Sequence, residues 1–198
     1  ETMTEAEVFP APVVLWSHPE DQRDGKPLLV LLHGYGANEQ DLLSLADLSM
    51  GPGFTWFPLT ASIDYSLERV KRASEYVLDW IDSIRVGHPS VTLLGFSMGM
   101  AMATTLLRQR PTDFAAVVGL SGFVVDAGDD PSFRDDELDG TIPMFWGRDQ
   151  QDPVITPDKI DYTMGWVRKH VKLTKVAGIN QQEIGHVGEF LTHEVLKK

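Results

Sequence analysis

The sequence predicts an α/β fold with a mostly parallel central sheet and helices on both of its faces. Short apolar runs alternate with amphipathic segments along the chain, and most of these runs are not interrupted by polar residues. Continuous runs are typical of strands buried on both faces, and strand–helix alternation is typical of parallel sheets with right-handed crossovers. A length of 198 residues fits one core, so residues 1–198 are expected to form a single domain.

Apolar runs predict the strands, and amphipathic spacing predicts the helices between them. The predicted strands are Val13–Trp16, Leu28–Leu32, Val91–Leu94, Ala115–Leu120, Ile142–Trp146 and Leu173–Val176. The predicted helices cover residues 38–48, 64–84, 98–110, 156–167 and 183–196. Pro111 closes the third of these helices, and Thr156 followed by Pro157 is a typical helix start.

Composition argues against several classes of function. The formal net charge of −12 disfavours binding to nucleic acid or to an anionic membrane surface, because both would repel the protein. The chain has no cysteine, so it cannot use a thiol nucleophile or thiolate metal ligands. It shows no metal-binding or nucleotide-binding motif, and no cofactor is expected. With no apolar span and no signal-peptide pattern, the sequence predicts a cytoplasmic protein without integral membrane association.

The segment from Gly95 to Gly99 has the pattern G-x-S-x-G and lies between a predicted strand and a predicted helix. Strand, sharp turn and helix is the context in which this pattern forms a nucleophile elbow. The glycines are needed because the turn is too tight for a Cβ on either side of the serine. Ser97 is therefore the predicted nucleophile, and the N–H of Met98, which opens the helix, is predicted to face the oxyanion.

A catalytic serine needs a base to take its proton and a carboxylate to orient that base. Both should follow the serine in the chain, and the loop after the strand Ile142–Trp146 offers two acids, Asp149 and Asp152. A second oxyanion amide is expected in the loop after the early strand, where Tyr35 stands between two glycines. His33, which precedes them, is expected to brace this loop and not to act in catalysis.

Over nearly its whole length the chain resembles the carboxylesterase, lysophospholipase and acyl-protein thioesterase family of small α/β-hydrolases. The segments that carry the resemblance are Leu32–Glu39, Trp56–Phe57, Gly95–Gly99, Leu120–Gly122 and Asp152–Ile155, in the family's order. The resemblance implies an α/β-hydrolase fold, with Ser97 as the nucleophile and Asp152, in preference to Asp149, as the triad acid. The chain contains no insertion long enough to form a large lid.

The resemblance also implies roles for residues around the nucleophile. Tyr35 and Met98 would give the oxyanion amides, and Trp56 and Phe57 would lie near the acyl pocket. Members of the family usually have glutamine and glycine where this chain has Met98 and Met100. A backbone amide survives that change, and Met100 either packs in the core of the helix or adds to an apolar wall beside the serine.

Two departures from the family concern the backbone and the base. The predicted helix ending near Leu48 is followed by Gly51–Trp56, where a strand is expected but no strand pattern is found. The family's catalytic histidine would lie before a helix resembling Gln181–Ile184, yet Gly178–Asn180 runs directly into that helix without a histidine. The favoured explanation is that the chain omits short stretches near residues 48–51 and between Val176 and Gln181, the second of which would hold the base.

His186 is the alternative base, because it follows Asp152 in the chain and Gly185 precedes it. The alignment nevertheless places His186 one turn inside the last helix. The other histidines of the chain are expected to be solvated or to have no catalytic role: His18, His88, His170 and His193.

The sequence therefore predicts a carboxylesterase that cleaves small-molecule esters of short to medium acyl chains through an acyl-enzyme on Ser97. Trp56, Phe57 and Met100 are expected to form a shallow apolar wall for the acyl group. Two alternatives remain: a thioesterase or lysophospholipase with the same triad, or a non-catalytic α/β-hydrolase scaffold that binds a ligand or partner. The sequence does not predict the oligomeric state.

Overall fold

A computed structural model describes residues 18–33, 55–60, 67–148, 155–177 and 181–196. For residues 33, 55–60, 175–177 and 181–185 only the backbone is described. The predicted strand Val13–Trp16 and the predicted helix over 38–48 lie outside the described residues.

The described strands form one parallel sheet, as predicted. They are β1 (Leu28–His33), β2 (Thr55–Thr60), β3 (Val91–Phe96), β4 (Ala116–Leu120), β5 (Pro143–Gly147) and β6 (Lys172–Ala177). Their order across the sheet is β2-β1-β3-β4-β5-β6, and every described pair is parallel. All carboxyl ends therefore lie at one edge, where ligands of open α/β sheets bind.

The helices alternate with the strands. They are α1 (Leu67–Ile84), α2 (Met98–Gln109), α3 (Pro157–His170) and α4 (Gln181–Leu191), the last continued by a π-helical turn over Thr192–Leu196. Each starts within three residues of its predicted position. The sequence predicted one regular helix to Leu196, and the change to π geometry after Leu191 has no signal in the local pattern.

Helices cover both faces of the sheet, because successive strand residues point to opposite sides. In β3, Leu93 joins a core cluster with α1, α2 and α3, whereas the next residue, Leu94, joins a second cluster with α4. In β5, Trp146 and Phe145 divide between the two clusters in the same way. The near-continuous apolar runs of the sequence follow from this two-sided burial.

The expectation that a strand is missing after the first predicted helix is wrong. Thr55–Thr60 forms β2, which pairs with β1 so that Trp56 lies opposite Leu29 and Pro58 lies opposite Leu31. Pro58 lacks the N–H of a sheet ladder, so the segment does not have the composition of a typical strand. Proline is tolerated in strands that are not paired on both sides, and β2 is terminal among the described strands. The omission proposed near residues 48–51 therefore loses the observation on which it rested.

Candidate active site

Ser97 occupies the turn between β3 and α2, the context that the sequence predicted. Phe96 ends the strand, Met98 begins the helix, and Ser97 has φ 58° and ψ −120° between them. Positive φ is costly for a residue with a Cβ, and such strained residues cluster at functional sites. Only one other described residue that is not glycine, Ser121, has a positive φ, and it follows the neighbouring strand β4.

The two glycines of the elbow are required by contacts with backbone. A Cβ on Gly95 would overlap the carbonyl oxygen of Gly99, and a Cβ on Gly99 would overlap the carbonyl oxygen of Leu32. The absence of a Cβ on Gly95 allows the chain to make the tight turn. The absence of a Cβ on Gly99 brings the first turn of α2 against the carboxyl end of β1, so the loop that follows β1 begins beside the serine.

Backbone hydrogen bonds hold the elbow in place. The N–H of Ser97 donates to the carbonyl oxygen of Leu120 at 2.7 Å, and the N–H of Met100 donates to the carbonyl oxygen of Ser97 at 3.0 Å. The Ser97 hydroxyl does not cap the helix, and its side chain is partly exposed. The N–H of Met98 lies in the first turn of α2, where amides have no acceptor within the helix and the helix dipole favours negative charge.

Strand register places the ends of β1 and β5, from which the two predicted partner loops start, at the level of Ser97. Leu32 in β1 lies opposite Gly95, so the loop carrying Tyr35 starts where β3 ends. In β4, Leu120 lies opposite both Phe96 and Gly147, so the loop after β5 also starts at this level. β2 lies on one side of β1, and β3 and all later strands lie on the other side. The position between β1 and β3 is therefore the topological switch point, where α/β folds bind ligands. Tyr35, Asp149 and Asp152 themselves lie outside the described residues.

The two methionines of the α2 first turn have different roles. Met98 is buried and contributes to the lining of a cavity beside the elbow. Met100 is fully buried, and a Cβ on Gly119 would lie 2.6 Å from its sulfur. A Cβ on Gly122 would also overlap the Met100 side chain. The expectation that Met100 adds to an acyl-pocket wall is therefore wrong, because its side chain fills space left by two glycines.

The cavity beside Met98 has a volume of about 460 Å³, within the range of small-molecule sites. The cavity is lined by α1, α2, α3 and the segment after β4. Its lining residues are Val70, Met98, Ala101, Phe123, Val124, Val125, Asp126, Asp158, Lys159 and Tyr162. The interior is mostly apolar, and the exposed carboxylates of Asp126 and Asp158 lie at its rim.

A buried arginine holds the segment after β4 in place. Arg108, on α2, donates to the carbonyl oxygen of Val125 at 2.6 Å and to the Asp135 carboxylate at 2.7 and 2.8 Å. The indole of Trp166, on α3, donates to the same carboxylate at 3.3 Å. The guanidinium also lies 4.6 Å from the ring centroid of Phe133. Bidentate, charge-assisted bonds of this kind are strong, so α2, α3 and the loop between them are held together.

A second tie joins α1 to the same loop. Lys71, next to the cavity residue Val70, pairs with Asp130 at 3.0 Å. Hydrogen bonds from the Ser132 hydroxyl and N–H, followed by the Lys71 bond, lower the pKa of Asp130 to about 2. This carboxylate therefore remains charged throughout the pH range in which esterases are assayed.

The residues assigned to the acyl pocket by resemblance lie elsewhere along the sheet. Trp56 and Phe57 pair with Leu29 and Val30, in the amino-terminal half of β2. Leu59 is the β2 residue at the level of Leu32, so the backbone of Trp56 is about 10 Å along the strand from that level. Their side chains lie outside the description, so their role stays a prediction.

His186 lines a different depression from Met98. This second cavity, of about 380 Å³, is formed by β5, β6 and α4 and includes Phe145, Thr174 and His193. Phe145 and Thr174 lie in the middle of their strands, whereas the elbow follows a carboxyl end. The structure therefore places His186 beside the middle of the sheet, on the face covered by α4.

The contacts described for two other histidines are made with residues other than Ser97. A ring nitrogen of His88 lies 2.7 Å from the carbonyl oxygen of Lys26, and the ring of His170 lies 5.4 Å from that of Trp166. Within the described ranges, no group of three or more histidine and carboxylate side chains is placed to hold a metal ion. No helix in the part of the chain that the structure describes is both long and apolar enough to cross a membrane.

The cavity lining includes residues that sequence reasoning missed. The Leu120–Gly122 segment, which carries part of the family resemblance, leads directly into the lining residues Phe123 and Val124. No local pattern could indicate Lys159 and Tyr162, because only the packing of α3 against α2 brings them there.

The sheet order, the two helical layers and the strained elbow define an α/β-hydrolase fold. A profile of the phospholipase/carboxylesterase family matches residues 44–157, more than half of the sequence. The chain belongs to this family. Comparison with curated proteins found no significant sequence match.

Solved structures share the fold over almost the entire chain. A phospholipase/carboxylesterase from Dyadobacter fermentans matches with a TM-score of 0.74 and 16% identity, covering 90% of this chain and 95% of its own. The Bacillus cereus carboxylesterase matches with a TM-score of 0.70 and 17% identity, covering 92% of this chain and 94% of its own. Zea mays acyl-protein thioesterase 2 matches with a TM-score of 0.70 and 19% identity, covering 93% of this chain and 99% of its own.

Proposed function

We propose that this protein is a serine hydrolase that cleaves carboxylic esters through an acyl-enzyme on Ser97. The observation that carries the proposal is the strained backbone of Ser97 between β3 and α2, with glycines where a Cβ would strike backbone. Such strain projects a serine hydroxyl above the sheet at the start of a helix. Membership of the phospholipase/carboxylesterase family supports an ester as the substrate.

In the proposed reaction, the Ser97 oxygen attacks the ester carbonyl while a base removes its proton. The amides of Met98 and Tyr35 donate to the oxyanion of the tetrahedral intermediate. Collapse of the intermediate breaks the bond to the alkoxy oxygen, which receives the proton from the base and leaves as the alcohol. Water then attacks the acyl-enzyme in the same way and releases the acid.

The cavity beside Met98 is proposed as the acyl site. It adjoins the first residue after the nucleophile, its interior is apolar, and its size suits short to medium acyl chains better than long ones. Met100 is fully buried and is not part of this site, whereas a contribution of Trp56 and Phe57 remains a prediction.

Asp152 is proposed as the triad acid. It lies three residues before Ile155, which is buried against Ala101, one turn beyond Ser97 on α2. Changing Asp152 to Asn is expected to lower turnover about 10⁴-fold, because the base would be held in the wrong tautomer. The matched control is Asp149→Asn in the same loop. If the control loses activity and Asp152→Asn does not, Asp149 is the acid.

A non-catalytic scaffold is the second candidate, and one observation favours it. The connection between β6 and α4 is Gly178–Asn180, which contains no histidine. Without a base, the elbow would bind a carbonyl ligand but react slowly.

Labelling with a fluorophosphonate and hydrolysis of p-nitrophenyl butyrate distinguish the two candidates. Ser97→Ala is expected to abolish labelling and to lower turnover by about 10⁶ if a complete triad is present. Ser83→Ala, an exposed serine on α1, is the matched control and should behave like the parent. Absence of labelling and of a product burst in the parent would support the scaffold instead.

A further inference from the structure

The walls of the cavity beside Met98 are fixed by buried hydrogen bonds. Thr163, on α3, accepts a bond from the N–H of Val124 at 2.8 Å and donates to the carbonyl oxygen of Lys159 at 2.7 Å. Arg108 holds the next residue, Val125, through its carbonyl oxygen. Since Thr163 and Arg108 are almost completely buried, the segment after β4 cannot move independently of α2 and α3.

Lys159 is the longest flexible side chain of this lining, and it links α3 to the segment after β4. It belongs to α3, yet its ammonium nitrogen lies 4.7 Å from the ring centroid of Phe123 in the segment after β4. An ammonium over an aromatic face is attracted by the ring, and the methylene stem of a lysine packs readily on apolar surface. Phe123 is buried, whereas Lys159 is only partly buried, so the lysine can move without opening the core.

We infer that Lys159 sets the length of acyl chain that the cavity accepts. The inference rests on the proposed esterase function of Ser97 and adds a specificity-determining residue to it. A short acyl chain fits beside Met98 without disturbing Lys159. A longer chain must displace the lysine from Phe123, so the gain from each added methylene ends where the chain reaches the lysine.

The test compares kcat/KM for p-nitrophenyl esters from acetyl to decanoyl. In the parent, kcat/KM should rise with chain length and then level off or fall. In Lys159→Ala the rise should continue by about fourfold for each further methylene buried, so that the decanoyl-to-butyryl ratio increases at least tenfold. Lys159→Arg keeps a cation over Phe123 and should retain the parent profile. Lys169→Ala removes the same charge from an exposed position on α3 and should also leave the profile unchanged.

A binding measurement separates failure of this inference from failure of the esterase assignment. In the Ser97→Ala background, the NMR shift of the Met98 methyl group reports binding of butanol, hexanol, octanol and decanol. Replacing Lys159 by Ala, or by Gln if the Ala variant does not fold, should improve decanol affinity relative to butanol at least tenfold. An unchanged ratio overturns the inference even if the esterase is confirmed. A changed ratio without Ser97-dependent hydrolysis supports the inference and overturns the esterase.

Discussion

Met100 occupies space that two neighbouring residues leave free by being glycines. Its sulfur packs where a Cβ on Gly119 would lie, and its Cβ packs against Gly122. The family usually has a glycine at the position of Met100, so the larger side chain must be accommodated by the strand and loop beside it. Sequence reasoning left both a core and a pocket role open for Met100, because a helical spacing does not say which neighbours are small.

The glycines around the elbow should differ in how they tolerate alanine. Gly99→Ala places a methyl group against the Leu32 carbonyl oxygen, which is backbone and cannot rotate away. We expect a loss of about 3 kcal/mol in the free energy of unfolding, measured by urea denaturation, together with loss of activity. Gly119→Ala meets the Met100 side chain, which can change rotamer, so its loss should be smaller.

A double-mutant cycle tests this difference. Combining Gly119→Ala with Met100→Ala should recover part of the stability lost by each change alone, because the new methyl group fills space that Met100 vacates. Combining Gly99→Ala with Met100→Ala should give no such recovery. Equal coupling in both pairs would contradict the contacts described for Met100.

At the scale of elements, the sequence predicted best those strands whose signal is local. Residues 28–32, 91–94 and 142–146 are continuous apolar runs, and each corresponds to a strand within two residues at either end. β2 was missed because Pro58 stands in its middle, and only its terminal place in the described sheet makes that proline acceptable.

In the candidate site, too, the residues that could be predicted are those with a local signal in the sequence. Ser97 and Met98 could be predicted because the elbow is a local motif. The α3 side of the cavity could not, because it is assembled by contacts between distant parts of the chain. Arg108 is the clearest case, since a lone arginine in an apolar helix gives no sign that it will join the helix to Asp135 and Val125.

Arg108→Met should loosen the contact between α2, α3 and the loop after β4. The change leaves Asp135 without its main partner and removes a hydrogen bond to the carbonyl oxygen of Val125. Because breaking a buried ion pair costs about 3–5 kcal/mol, and Asp135 is partly exposed, we expect a loss of about 2–4 kcal/mol in the free energy of unfolding.

The matched control for Arg108 is Arg110→Met, which removes an arginine paired with Asp82 at the surface. Exposed pairs contribute little, so this variant should lose less than about 1 kcal/mol. Similar losses in the two variants would mean that the Arg108 contacts do not stabilise this part of the fold.

At the scale of the whole molecule, the comparisons and the structure agree on the fold, but the family profile covers only part of the predicted triad. The family profile covers residues 44–157, which include Ser97 and Asp152 but end before β6 and α4. The histidine of a triad would have to come from that later part. There the sequence has only three residues between the strand and the helix.

The prediction that the natural protein carries additional residues between Val176 and Gln181 can be tested without an activity assay. Trypsin cuts after lysine and arginine, so a continuous chain would give the peptide Val176–Lys197. We expect mass spectrometry of the digested natural protein to show instead a longer, histidine-containing sequence before Gln181. The peptide Val86–Arg108, which contains Ser97, is the control for recovery from the same digest. Detection of Val176–Lys197 with its calculated mass would show that the chain is continuous. The base would then have to be His186, within about 3 Å of the Ser97 hydroxyl during the reaction, or the protein would be a scaffold without a triad.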